Sequence, residues 1–313
     1  MTHSSAPDRP QDDPLLPEQL GGDDSPPGVL SFNAADPVGA GGLSSDALVI
    51  ASIGAHPLTV TTGIYLRDTR DAVGHAAIDD AVVAEQARWV AEDVPVRTIK
   101  VGFVGGAEQI AAIAGFAADY ADVPVIAYMP DLSWWDEHEI DSYLDAFREL
   151  LLPQTAVLVG NNTTLRHWLL PESITDRHAR ATDLARAAAE LGVPYVLVTG
   201  IPTLGDQLGN VLASPQAELL SQNFERIDAA FLGAGDIVSA ALAALLATGS
   251  ELTEAALEAL QYLDQALDHG FRPGMGRAVA DRLFWTTDED AEVDIDDTSA
   301  LIDIRHPFNE TKH

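Results

Sequence analysis

Strand-like and helix-like stretches alternate along most of this chain, and that alternation limits its fold more than any other feature. β-branched and apolar runs over 29–34, 57–64, 98–104, 123–128, 156–159 and 195–199 read as strands. Helical patterns cover 43–53, 78–92, 108–120, 138–151, 179–191, 237–248 and 253–269, the last with Thr253 as its N-cap. Strand–helix–strand units of this kind pair in parallel and cover both faces of the sheet. The expectation is an α/β fold with a mostly parallel central sheet, helices on both faces, and ligands at the carboxyl ends of the strands. A less regular late strand is expected within 222–232, and no internal repeat is evident.

The ends read differently. Residues 1–28 are polar and rich in Pro, Gly and Asp, with little to bury, so they predict a disordered tail. Residues 287–313 read as an acidic tail, of which 301–304 could dock locally, leaving one domain over 29–286. The net charge is −32, and the two ends account for only −5 (1–30) and −7 (287–313) of it. Such a field makes nucleic acid and anionic membrane poor partners. Together with a lysine count of two, it resembles the surfaces of proteins from salt-loving organisms. With no cysteine, the chain has neither disulfides nor thiolate chemistry, which suits a cytoplasmic protein. No apolar run reaches the ~18 residues that cross a bilayer.

The stretch Leu232-Gly233-Ala234-Gly235-Asp236 runs straight into an alanine-rich apolar helix. Glycines let the backbone turn tightly, and the first free N–H groups and the helix dipole then favour an anion. Gly233, Ala234 and Gly235 are therefore candidates for an anion hole, and Asp236 for a general base beside a phosphate. The same pattern also fits an ordinary helix start with Asp as N-cap. A second glycine cluster, Asp36-Pro37-Val38-Gly39-Ala40-Gly41-Gly42, joins the first strand to the first helix. It is neither a dinucleotide fingerprint nor a P-loop. Asp136-Glu137-His138-Glu139 lacks a second histidine at metal spacing and reads as a solvated helix start, so no protein metal site is expected. No Gly-x-Ser-x-Gly elbow exists. Lys100 is the single lysine inside the domain, which suggests a pairing of its own.

The two glycine loops occur in order with Gly54-Ala55-His56-Pro57, Asp68-Thr69, Ile99-Lys100-Val101-Gly102, Leu152-Pro153 and Gly270-Phe271-Arg272-Pro273-Gly274-Met275-Gly276. On these residues, over 29–286, the chain resembles the hydroxymethylpyrimidine and phosphomethylpyrimidine kinases of thiamine biosynthesis, in the ribokinase-like superfamily. The resemblance implies a ribokinase-like fold, ATP and Mg²⁺ as cofactors, and a homodimer. It also implies phosphorylation of 4-amino-5-hydroxymethyl-2-methylpyrimidine or its monophosphate. It assigns Asp36, Gly41, Gly42, Asp46 and Arg67 to the substrate, and Asn161, Thr199 and Gly200 to the nucleotide. Several positions depart from the family pattern. Asp236 stands where many members carry Cys, Arg67 where they carry a pyrimidine-binding Gln, and Thr164 where they carry a Glu near Mg²⁺ and phosphates. A Ser133-Trp134-Trp135 segment is also unusual. The departures leave room for a sister kinase acting on pyridoxal or another small alcohol, or for a catalytically weak ligand-binding paralogue.

Overall fold

A computed structural model describes residues 25–171 and 179–286. The apolar run that opens the domain becomes β1 (Gly28–Ala35), buried along nearly its whole length as a central parallel strand must be. It pairs in parallel with β2 (His56–Arg67) on one side and β4 (Val96–Val101) on the other. Parallel pairing continues through β5 (Val125–Met129), β6 (Val157–Asn161) and β7 (Tyr195–Pro202). Three antiparallel strands complete the edges: β3 (Ala72–Ala77) beyond β2, and β8 (Gln207–Ala213) and β9 (Glu218–Glu225) beyond β7. The resulting nine-stranded sheet has the order β3-β2-β1-β4-β5-β6-β7-β8-β9, with a separate short pair, β10 (Phe231–Leu232) and β11 (Ala278–Val279).

Because strand side chains alternate between faces, the sheet feeds two cores. Val29, Ile126, Val159 and Leu197 join α1 (Gly42–Ile53), α7 (Ala234–Ala247) and α8 (Leu252–Asp268). Leu30, Phe32, Ile99, Val101 and Leu158 pack instead with α2 (Asp80–Asp93), α3 (Ala107–Asp119), α4 (Glu137–Ala146), α5 (Asn162–Leu169) and α6 (Ala181–Glu190). Helices thus cover both faces, as the alternation implies.

Some local expectations change. The helix expected over 138–151 ends as α-helix at Ala146 and widens into a π-helical turn at Phe147–Leu151 before Pro153 stops it. Thr253 is not a cap: α8 begins one residue earlier, behind Glu251, and no side chain caps it. The doubtful strand at 222–232 is two elements, β9 and β10. Gly28, at the inner end of the expected tail, opens β1; the rest of that tail up to residue 24, and the acidic end with 301–304, lie outside the described residues.

Candidate active site

The alternation of β1 places Ser31 and Asn33 on the side opposite Leu30 and Phe32, facing α1 and α7. In the β1–β4 register Ser31 lies beside Lys100, so three polar side chains meet on one buried face. Asp46 of α1 and Asp236 of α7 come down onto them. Lys100 Nζ donates to Asp236 Oδ1 at 2.7 Å and to both oxygens of Asp46 at 2.8 and 2.9 Å. Asn33 Oδ1 accepts from the N–H groups of Ala34 and Phe103, at 2.9 and 3.1 Å. That fixes the amide so that Nδ2 donates to Asp46 at 2.9 Å and to Asp236 at 2.8 Å. Ser31 Oγ donates to Asp46 at 2.6 Å, and the Gly42 N–H to Asp236 Oδ2 at 3.1 Å.

The two carboxylates respond differently to one lysine. Burial pushes Asp236 up, but the Lys100 charge and the bonds from Lys100, Gly42 and Asn33 outweigh it and hold the carboxyl below the ordinary range. Burial also pushes Asp46 up; Lys100 offsets only part of this, the Asp236 charge adds to it, and Asp46 stays above its ordinary value. For Lys100, desolvation is overcome by both partners, and its ammonium is stabilised.

Asp236 is the third residue of α7, and its side chain makes no cap bond; the N-cap is Gly233, with φ 78°. The N-cap reading of Asp236 therefore does not hold, and its carboxylate points back to β1 and β4. Gly233 adopts a left-handed backbone, and a Cβ there would run into the Ala40 carbonyl of the first glycine loop. A Cβ on Gly235 would run into the Tyr128 ring. Both glycines are needed for the two loops and β5 to approach this closely.

Above the turn lies a cavity of about 1040 Å³ at the carboxyl ends of the strands. Asp36, Gly41, Gly42 and Arg67 line it, together with the 233–236 turn. Asn161, Thr164 and Thr199 line it at the ends of β6 and β7. Asn161 caps α5 by accepting from the Thr163 N–H at 2.8 Å. Two of the predicted residues lie elsewhere. Asp46 is fully buried behind Lys100 and does not line the cavity, and neither does Gly200, whose N–H donates to Asn210 at 3.2 Å.

The structure also adds residues to the site. Arg67 Nε stands 3.9 Å from Asp36 Oδ1, and its guanidinium lies over the Tyr65 ring at 5.7 Å. Tyr65 stacks on Phe103 at 5.1 Å and meets Trp134 edge-on at 5.9 Å, forming an aromatic wall. Tyr65, Trp134 and Arg277 all line the cavity. Ser31 and Asn33 could have been suspected from the sequence, because each interrupts the otherwise apolar β1, while Lys100 is already marked there as the single lysine of the domain. Mg²⁺ commonly keeps several waters and binds through one or two protein oxygens plus phosphates. Asp131 and Asn161, just beyond β5 and at the end of β6, suit that mode; among the described residues no three His, Cys, Asp or Glu side chains converge on a cage.

An open, mainly parallel sheet with a glycine turn, helix N-terminus and carboxylate at one cavity fits the small-molecule kinase that the sequence resemblance implies. Its family follows directly: the chain belongs to the phosphomethylpyrimidine kinase family, whose model matches residues 36–281. The hydroxymethylpyrimidine/phosphomethylpyrimidine kinase of Streptomyces coelicolor is 27% identical over 262 residues, covering 82% of this chain and 94% of that one. The corresponding Mycobacterium tuberculosis enzyme is 26% identical, covering 87% and 98%. Among solved structures, the ADP complex of Bacillus subtilis pyridoxal kinase superposes with a TM-score of 0.73 at 21% identity, covering 84% and 99%. The Clostridium difficile phosphomethylpyrimidine kinase gives 0.61 at 19%, covering 75% and 98%. At these identities the structural likenesses establish the fold.

Proposed function

We propose that this enzyme transfers the γ-phosphoryl group of ATP to 4-amino-5-hydroxymethyl-2-methylpyrimidine, or to its monophosphate, in thiamine biosynthesis. The observation that carries this reading is the meeting of Asp236, the glycine turn and the first glycine loop at one cavity. In the first transfer the substrate hydroxyl oxygen attacks the γ-phosphorus and its proton passes to Asp236. The new O–P bond forms as the bond to the ADP oxygen breaks. N–H groups of the 233–235 turn hold the charge on the transferring group. Asn161 and Asp131, which line the cavity, would hold Mg²⁺, which would supply charge neutralisation to the phosphates. Thr199 belongs to the same nucleotide side.

Arg67 alone only donates hydrogen bonds, whereas an aminopyrimidine edge needs both donors and acceptors. Asp36, 3.9 Å from Arg67, is buried with its oxygens accepting from the Val38 and Gly41 N–H groups at 3.0 Å, so its part is to orient Arg67 as a donor toward the ring. Tyr65 and Trp134 give the ring an aromatic wall. The reading includes a cytoplasmic homodimer, whose oligomeric state sedimentation of the purified chain checks.

The test is ADP release from Mg·ATP with hydroxymethylpyrimidine, its monophosphate and pyridoxal as acceptors. Turnover with either pyrimidine supports the proposal. Turnover with pyridoxal alone moves the chain to a sister specificity, and silence on all three with folded protein makes it a binding protein.

A further inference from the structure

The cavity accounts for Asp236, but not for the buried Lys100–Asp46 pair behind it. We infer that Lys100, held between Asp46 and Asp236 and aligned with them by Asn33, is the positioning residue that keeps the Asp236 carboxylate ionised and aimed. This rests on Asp236 being the base. Asn33 and Lys100 each donate to both carboxylates, so the two acids share one cation and one amide. Two such acids with no cation between them would share a proton, and one would be neutral at physiological pH. A neutral Asp236 accepts no proton. The part Asp46 plays is therefore electrostatic. It places Lys100 on β4 opposite α7 without reaching substrate, since it is fully buried.

Other charged and titratable groups face the same point. From the loop after β1 comes Asp36, which is paired with Arg67. From β2 and β5 come Tyr65 and Tyr128, whose hydroxyls burial and the Asp236 charge push upward, so both stay neutral. Lys100 is thus the cation in direct contact with Asp236. It stays an ammonium throughout and carries no proton to or from substrate.

Two measurements test the link, one of which needs no turnover. The chain has only two lysines, Lys100 and Lys312. Full-length protein labelled in lysine with ¹³C and ¹⁵N then gives two side-chain signals, with Lys100 assigned as the one absent from Lys100→Met. Its signal should remain that of an ammonium past pH 9 and move in a step as the carboxylates protonate at acid pH. A Lys100 signal without that step, or one titrating as an amine below pH 9, overturns the inference.

The second measurement is kcat against pH for pyrimidine phosphorylation. Lys100→Met should move the acid limb up by at least about one pH unit, and so lower kcat by about tenfold or more at pH values on the acid limb itself, with KM for both substrates within about threefold. Asp46→Asn should move the limb down instead. The double variant should recover part of what Lys100→Met loses, a coupling that a purely structural role would not produce. An unmoved limb in folded Lys100→Met or Asp46→Asn protein, or a double variant no better than Lys100→Met, overturns the proposal. Should the wild-type chain turn over neither pyrimidine, the proposed function falls, while the substrate-free lysine titration still supports or overturns the pairing.

Discussion

Asp236 has four donors around its two oxygens if each bond is counted by its source: Lys100, Asn33, the Gly42 N–H and, in the reaction, the substrate hydroxyl. The first three hold its carboxyl below the ordinary range even though burial opposes them. As the proposed base, Asp236 is ionised above its pKa, so activity should be full there and be lost as pH falls through it. The acid limb of kcat/KM should therefore lie below the ordinary aspartate value of about 3.9, unless the protein unfolds first, which circular dichroism on the same samples reports. Asp236→Asn keeps the size of the side chain and removes its basicity. Turnover should fall by about 10²–10⁴-fold with little change in nucleotide affinity, and unchanged turnover would remove Asp236 from the base role. Arg67, which lines the same cavity, is proposed to hold the other end of the substrate. Arg67→Ala removes a charged donor from the cavity wall and leaves Asp36 held by the Val38 and Gly41 N–H groups alone, so KM for the pyrimidine should rise by about tenfold or more while kcat changes less. Steady-state kinetics on the two variants separates chemistry from recognition.

The elements of the fold were legible in the sequence to the extent that burial wrote a simple pattern. β1, β5 and β6 are covered on both faces and appear as short apolar runs. β3 and β9 lie at the edges, expose much of their length and carry polar residues, so no such run marks them. The glycine turn before α7 was legible because its backbone demands glycine, which is a local requirement. The Lys100 contacts were not, because they join residues 54 and 136 positions apart and depend on the register of β1 with β4. The Trp134–Tyr65 wall likewise depends on how the loop after β5 folds back over β2. At the element scale the turn itself can be tested. Gly233→Ala imposes a left-handed conformation on a residue with a Cβ, at about 1–2 kcal/mol, and sets that Cβ against the Ala40 carbonyl. The two glycine loops must then separate. Urea melts should show at least that loss of stability, and kcat should fall by about tenfold or more because α7 no longer presents its first turn to the phosphoryl group.

At the scale of the whole molecule, the chain carries 49 acidic side chains against 17 basic ones, yet it must bind a polyanion. The cavity itself mixes both signs: Asp36, Asp71, Asp131, Glu137, Asp141 and Asp236 against Arg67 and Arg277. Long-range repulsion from the net charge of −32 opposes both folding and the approach of ATP, whereas the contacts at the turn are short and shielded from solvent. Salt separates these two effects by distance. The screening length shrinks from about 30 Å at 0.01 M to about 3 Å at 1 M, which removes the far field and leaves buried contacts such as Lys100–Asp236 largely intact. Raising KCl over that range should therefore raise the melting temperature by several degrees. It should also lower KM for Mg·ATP, while kcat, set by groups within hydrogen-bond reach, changes by less than about twofold. An ordinary phosphate site held by exposed cations behaves in the opposite way, with affinity falling steadily as salt rises. Steady-state kinetics and thermal melts across the same salt series decide between them. A KM for ATP that climbs monotonically with salt would mean that local attraction at the cavity, and not the field of the whole acidic chain, governs nucleotide capture.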